Sequence, residues 1–128
     1  MSTQDSPANP ADPIDFEHLK QYVGDDPAII KEVFGMFKHQ TEMWVRGLSA
    51  DMPDEDWAAI LHTLKGSARA VGALELGALC EKGEHMVGEN GRAGVREANL
   101  QNIKFAIEQA KIEIARWEYR QTLASLRS

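Results

Sequence analysis

Residues Ala58 to Gly72 read A-A-I-L-H-T-L-K-G-S-A-R-A-V-G, and this stretch decides the fold. With Trp57 just before it, Ile60, Leu61, Leu64, Ala68 and Val71 recur at helical spacing, so they gather on one side of a helix and form its core face. His62 falls about 150° round from the centre of that stripe, flanked by Glu55, Ala58, Lys65, Gly66 and Arg69, on the side turned to solvent. Lys65 follows the histidine at i+3 and Gly66 at i+4, where any side chain would stand beside the imidazole. A glycine inside a helix costs roughly 1 kcal/mol relative to alanine, so its place here marks room kept for something bulky.

Outward from this helix the pattern stays helical. Asp26 and Pro27 form a strong helix start, and Ile30, Val33, Phe34, Phe37, Thr41, Trp44, Val45 and Leu48 continue one apolar stripe over about six turns. Met36 and Met43 lie at the border of that stripe, as flank of the core or as anchors for a partner. Asp51 to Asp54 break the pattern and cap the His62 helix, whose first turn carries Asp54, Glu55 and Asp56, the sign its dipole favours. Gly72 ends that helix as a left-handed cap. A return helix over Ala73 to Val87 buries Leu76, Leu79, Cys80, Gly83, Met86 and Val87. A last helix of roughly seven turns carries Leu100, Ile103, Ile107, Ala110, Ile114 and Trp117, with Arg116, Arg120 and Arg127 towards its end. At the other end of the chain, Ile14, Phe16, Leu19, Tyr22 and Val23 make a short helix, capped by Asp15 and stopped near Gly24, that lids the bundle. Residues 1–13, with three prolines and no apolar period, read as a disordered tail. The fold expected is all-α: an up-down antiparallel four-helix bundle over 14–128 with a short additional N-terminal helix.

Composition narrows the function. A chain of 128 residues is one domain with a single core. Fourteen basic against twenty acidic residues, a net charge of −6, argue against nucleic acid. No apolar run approaches membrane-spanning length and the N-terminus lacks a leader pattern, so a cytoplasmic, monomeric protein without membrane contact is expected. The single cysteine, Cys80, reads as a buried inert thiol. The glycines of Gly88-Glu89-Asn90-Gly91 lack the strand and the Gly-Lys-Ser/Thr of a phosphate loop. His18, His39, His62 and His85 show no i,i+4 pair on one helix that would hold a metal.

The ordered pattern H-x-L-K-G-S at His62, Asp25-Asp26-Pro27 opening a helix with Phe37 inside it, and Gly72-Ala73-Leu74 followed by Cys80-Glu81 resembles the histidine phosphotransfer (Hpt) domains of multistep phosphorelays, over roughly Asp15 to Trp117. The resemblance implies that His62 is phosphorylated through Nε2, with Lys65 and Gly66 supporting it. It implies a phosphocarrier without its own ATP site, exchanging phosphoryl groups with receiver-domain aspartates of a hybrid histidine kinase and a response regulator. It has no cofactor of its own, and Mg²⁺ is supplied by the partner receiver. Folding the hairpin at Gly72 brings Glu84 level with His62, at the position where such domains often place a polar residue that bonds the other ring nitrogen. The other reading of Glu84 is a solvated side chain paired with Lys82. The expected docking surface takes in Ala58, Ala59, Lys65 and Arg69, with Met36 or Met43 as apolar anchors. The alternative function is a non-catalytic helical bundle that binds a receiver or kinase through the same face.

Overall fold

The computed structural model describes residues 12–127, so the tail expected over 1–13 lies, for residues 1–11, outside the described residues. Asp15 accepts a hydrogen bond from the His18 amide at 3.1 Å and opens α1 (Phe16–Val23), which Gly24 ends at φ +78°. Asp26 does the same for the Ala28 amide at 2.9 Å and, with Pro27 at the first position, opens α2 (Pro27–Gly47). The third helix, α3 (Asp54–Ala70), closes on Gly72 at φ +81°. The Ala73 amide donates to the Ala68 carbonyl at 2.8 Å and the Gly72 amide to that of Arg69 at 3.2 Å, so the orphan carbonyls of α3 are satisfied in a Schellman turn. A Cβ on Gly72 would also collide with the carbonyl oxygen of Asp15, because the Asp15 amide bonds the Gly72 carbonyl at 2.8 Å. Glycine is thus required both by the turn and by the seating of α1 over this end of the bundle.

The chain then returns through α4 (Leu74–Glu84), makes a single 3₁₀ turn at Gly88–Asn90, and runs down α5 (Ala93–Arg127). Contacts run α2 to α3, α3 to α4, α4 to α5 and α5 back to α2, a closed ring of four antiparallel helices with no strand among the described residues. Ion pairs Lys38–Glu118 and Lys111–Glu42, each at 3.6 Å, align α2 against α5. Leu19, Phe34, Phe37, Trp57, Leu61, Leu64, Ile103 and Ile114 fill the centre. Phe34 meets Trp117 edge to face at 5.3 Å, and Phe16 of the lid packs on Phe34 in the same way at 6.2 Å.

Several boundaries differ from the sequence expectation, and one residue accounts for most of them. Arg96, buried at the start of α5, donates to the carbonyls of Met86 at 2.9 Å, Ala50 at 3.3 Å and Met52 at 2.8 Å, and bonds the Asp54 carboxylate. Its guanidinium also lies 4.9 Å over the Trp57 ring. Asp54 is therefore drawn to Arg96 and to the Gly88 amide, at 3.0 Å, and α3 begins at Asp54, behind Pro53, without the side-chain cap expected from Asp51 to Asp54. The same guanidinium holds the Met86 carbonyl, and Trp57 Nε1 donates to the Gly83 carbonyl at 2.8 Å. The last turn of α4 is taken apart by these bonds, so the helix stops at Glu84 and not at Val87. α5 begins at Ala93, about two turns before Leu100, and reaches Arg127, making 35 residues in place of the roughly seven turns expected. Met36 and Met43 are exposed outright and do not flank the core.

Candidate functional site

His62 projects from the outer face of α3 with its side chain 74% exposed, while the stripe behind it is fully packed. Its Nδ1 stands 3.1 Å from Glu84 Oε1 on α4. A carboxylate only accepts, so this contact requires the proton on Nδ1 and, in the neutral ring, puts the lone pair on Nε2. Glu84 reaches this place because of the anchors beneath it: Trp57 and Arg96 bind the backbone on either side of it, at Gly83 and Met86. Gly83 is itself a close approach, since a Cβ there would strike Asn99 and Leu61.

Lys65 is not the free surface cation expected from its spacing. Its Nζ lies 2.9 Å from the same Glu84 Oε1 that meets His62, and both Lys65 and Glu84 are only 14% exposed. One carboxylate oxygen thus joins an imidazole and an ammonium, and Glu84 is paired with Lys65 rather than with Lys82. Further along, Arg69 bonds Glu81 at 2.9 Å, its side chain lying across Gly77, and Lys65 stands 3.9 Å from the same Glu81 oxygen. The Arg69 guanidinium holds the Glu81 carboxyl below the usual carboxylate range. Gly66, on the outer side of the imidazole, has open space where a Cβ would point. Packing does not demand a glycine there, which leaves access to the ring as the physical reason for it. Cys80 lies buried beneath this cluster; burial first, and then the Glu84 carboxylate, push its thiol up to about 12, so it is inert.

Around His62, Ala59 is exposed and Ala58 half-buried, and both belong to the same surface. The two methionines are not equivalent. Ser67 Oγ donates to Gln40 Oε1 at 2.9 Å, a side-chain bond between α2 and α3 that sets their register. With the helices antiparallel, Met43 comes within about 3 Å of the level of the imidazole along the helix axis, and Met36 lies about 13 Å beyond it. The structure brings His62, Lys65 and Glu84 together, with Gly66, Ala58 and Ala59 beside them on α3, sets Met43 at about the level of the imidazole, and places Arg69 two turns away and Met36 well beyond. Gln40, Arg96 and Asn99 escaped the sequence reading. For Arg96 and Asn99 a signal existed, because they extend the buried stripe of α5 one turn before Leu100 and Ile103. A polar residue on an apolar period marks a buried network. Among the described residues, no three His, Cys, Asp or Glu side chains gather as a metal site.

The comparisons agree with this geometry. The description of the Hpt domain matches residues 32–127. The crystal structure of the histidine phosphotransferase ShpA from Caulobacter crescentus superposes with a TM-score of 0.67 at 32% sequence identity, over 89% of this chain and 98% of that one. No curated protein matches the sequence. No helix among the described residues is long and apolar enough to cross a membrane.

Proposed function

This chain belongs to the Hpt domain family, and we propose that His62 is the residue through which it carries phosphoryl groups. Members of the family are phosphocarriers, and the chain is a phosphorelay intermediate that works with receiver domains. The observation that carries the assignment to His62 is the 3.1 Å contact of Nδ1 with Glu84 under a ring that is 74% exposed. The Nε2 lone pair attacks the phosphorus of a receiver aspartyl phosphate in line. The N–P bond forms as the bond from phosphorus to the aspartate oxygen breaks, and the electron pair leaves with the carboxylate. The Nδ1 proton stays in its bond to Glu84 throughout, so the neutral ring attacks without a change of tautomer. The return step, to the aspartate of a second receiver, is the same displacement reversed.

Lys65 partly offsets the charge of Glu84 before transfer and stands within reach of the phosphoryl oxygens after it. Gly66 leaves the volume that the phosphoryl group and the receiver occupy. The receiver docks over Ala58, Ala59 and Met43, with Arg69 at the rim, and brings the Mg²⁺ that assists transfer. Its sources are the receiver of a hybrid histidine kinase and that of a response regulator. The chain has no autokinase activity of its own, and it acts in the cytoplasm. The test is transfer from a phosphorylated receiver: wild type acquires an acid-labile, base-stable phosphate, and His62→Gln does not, with helicity and melting temperature unchanged because the side chain is exposed. Label that persists in His62→Gln would sink the assignment. Binding of the receiver without any label on the wild-type protein would favour the non-catalytic module.

A further inference from the structure

His62 and Glu84 stand on different helices, so their 3.1 Å contact is only as constant as the spacing of α3 and α4 at that level. The contact does not set this spacing itself, because a hydrogen bond to a ring that is 74% exposed competes with water and does little to hold two helices together. It is also sensitive. At 3.1 Å it is close to the end of the range for such bonds, and about 0.5 Å more would break it.

The spacing is fixed underneath, by a bond to which the transfer chemistry gives no part. Trp57, five residues before His62 on the buried face of α3, donates its indole N–H to the Gly83 carbonyl at 2.8 Å. That carbonyl belongs to the peptide that carries Glu84, so the indole pins the backbone at the residue that meets the imidazole. The same carbonyl accepts the Met86 amide at 3.0 Å as α4 ends. Arg96 holds the donor and the segment beyond the acceptor together, its guanidinium lying 4.9 Å over the Trp57 ring and bonding the Met86 carbonyl at 2.9 Å. Towards the core α4 can come no closer, since a Cβ on Gly83 would strike Asn99 and Leu61. Glu84 thus has no slack inwards, and the indole bond opposes movement away from α3. A tryptophan that only filled the core could give its N–H to any acceptor; this one gives it to the peptide beside Glu84.

We propose that Trp57 is a positioning residue for phosphoryl transfer: its indole N–H, through the Gly83 carbonyl, sets Glu84 at the distance at which His62 keeps its proton on Nδ1 and attacks through Nε2. The proposal rests on His62 as the carrier, and adds to it a buried residue that touches neither the receiver nor the phosphoryl group.

Two variants test it. Trp57→Phe removes the donor together with part of the ring, and the benzothiophene analogue of tryptophan, introduced at position 57 by stop-codon suppression, removes the donor and keeps the shape. In both, nitrogen shifts of the unphosphorylated protein should show His62 moving towards the Nε2–H tautomer. Transfer from a saturating phosphorylated receiver should slow by about threefold, less than the loss of the Glu84 charge would cause. Receiver affinity should stay within about twofold, because Trp57 is buried. Trp117→Phe takes the same bulk from the lid end of the core, where the ring meets Phe34, and should match wild type in tautomer and rate. In a Glu84→Ala background the analogue should change neither quantity further, because the residue that it places is gone. A wild-type tautomer in the analogue would overturn the proposal. So would a rate loss that persists undiminished in Glu84→Ala, which would show Trp57 acting by another route. Failure of His62 to take label is a separate result: it would remove the carrier assignment, while the tautomer, read without any phosphate, would still decide whether Trp57 places Glu84.

Discussion

Glu84→Gln separates the shape of the His62 site from its charge. The amide keeps an oxygen in place for the Nδ1–H, but a hydrogen bond to a carboxylate is about twice as strong as one to a neutral acceptor, roughly 2 against 1 kcal/mol net. The Nδ1–H tautomer therefore loses about 1 kcal/mol, about fivefold in population, and the exposure of the ring makes this an upper bound. Attack uses the Nε2 lone pair, so transfer from a phosphorylated receiver should slow by up to about fivefold. The product responds in the opposite sense. In wild type the carboxylate stands about 6 Å from the phosphorus, where each unit of phosphoryl charge costs on the order of 1 kcal/mol of repulsion in a largely aqueous setting. Removing it, and releasing the Lys65 ammonium now held at 2.9 Å, should favour phosphohistidine by about fivefold. Forward transfer falls while its equilibrium constant rises, so the return step should slow by roughly twentyfold. Nitrogen shifts of the two ring nitrogens report the tautomer, rapid-quench single turnovers give the rates, and partition of label between carrier and receiver gives the equilibrium. An unchanged tautomer together with unchanged rates would show that Glu84 does not hold the imidazole in solution. Faster transfer in the variant would refute the charge argument itself.

Gly66→Gln should stabilise α3 by several tenths of a kcal/mol, since a Cβ there meets only open space, yet slow transfer at least tenfold by covering the ring; wild-type transfer rates in a stabilised protein would count against the steric role of Gly66. Cys80, with its thiol pushed up to about 12, should resist iodoacetamide at pH 8 in the folded protein and react on addition of denaturant; alkylation of the native protein at the rate of a free thiol would contradict its burial. The Gly88 amide foremost, and then Arg96, hold the Asp54 carboxyl below its ordinary range. Because the folded value lies below the unfolded one, the contribution of Asp54 is complete above the ordinary aspartate range and is lost as the pH falls through the lowered value. The melting temperature of Asp54→Asn should therefore trail wild type at neutral pH and converge with it in acid; a constant gap would show that the carboxylate charge plays no part.

The short-range features of this chain were legible in its sequence. Asp15 and Asp26 cap their helices, Pro27 opens α2, Gly72 turns α3 back on itself, and the periods of α2, α3 and α5 pick out the side chains that are buried. All of these depend on interactions between residues at most five apart, which the order of residues specifies directly. The pairing of His62 with Glu84 was within reach for the same reason, since a tight hairpin leaves little freedom in how two helices align. What lay beyond the sequence depends on register between elements far apart in the chain. Arg96 gathers three carbonyls from two loops, before α3 and after α4, and so decides where α3 begins and α4 ends. The Ser67–Gln40 bond decides that Met43, and not Met36, lies at the level of the imidazole. The fold also decides that Lys65 spends its charge on Glu84. Helical periodicity reports which residues share a face, but only packing against the other helices settles what that face meets.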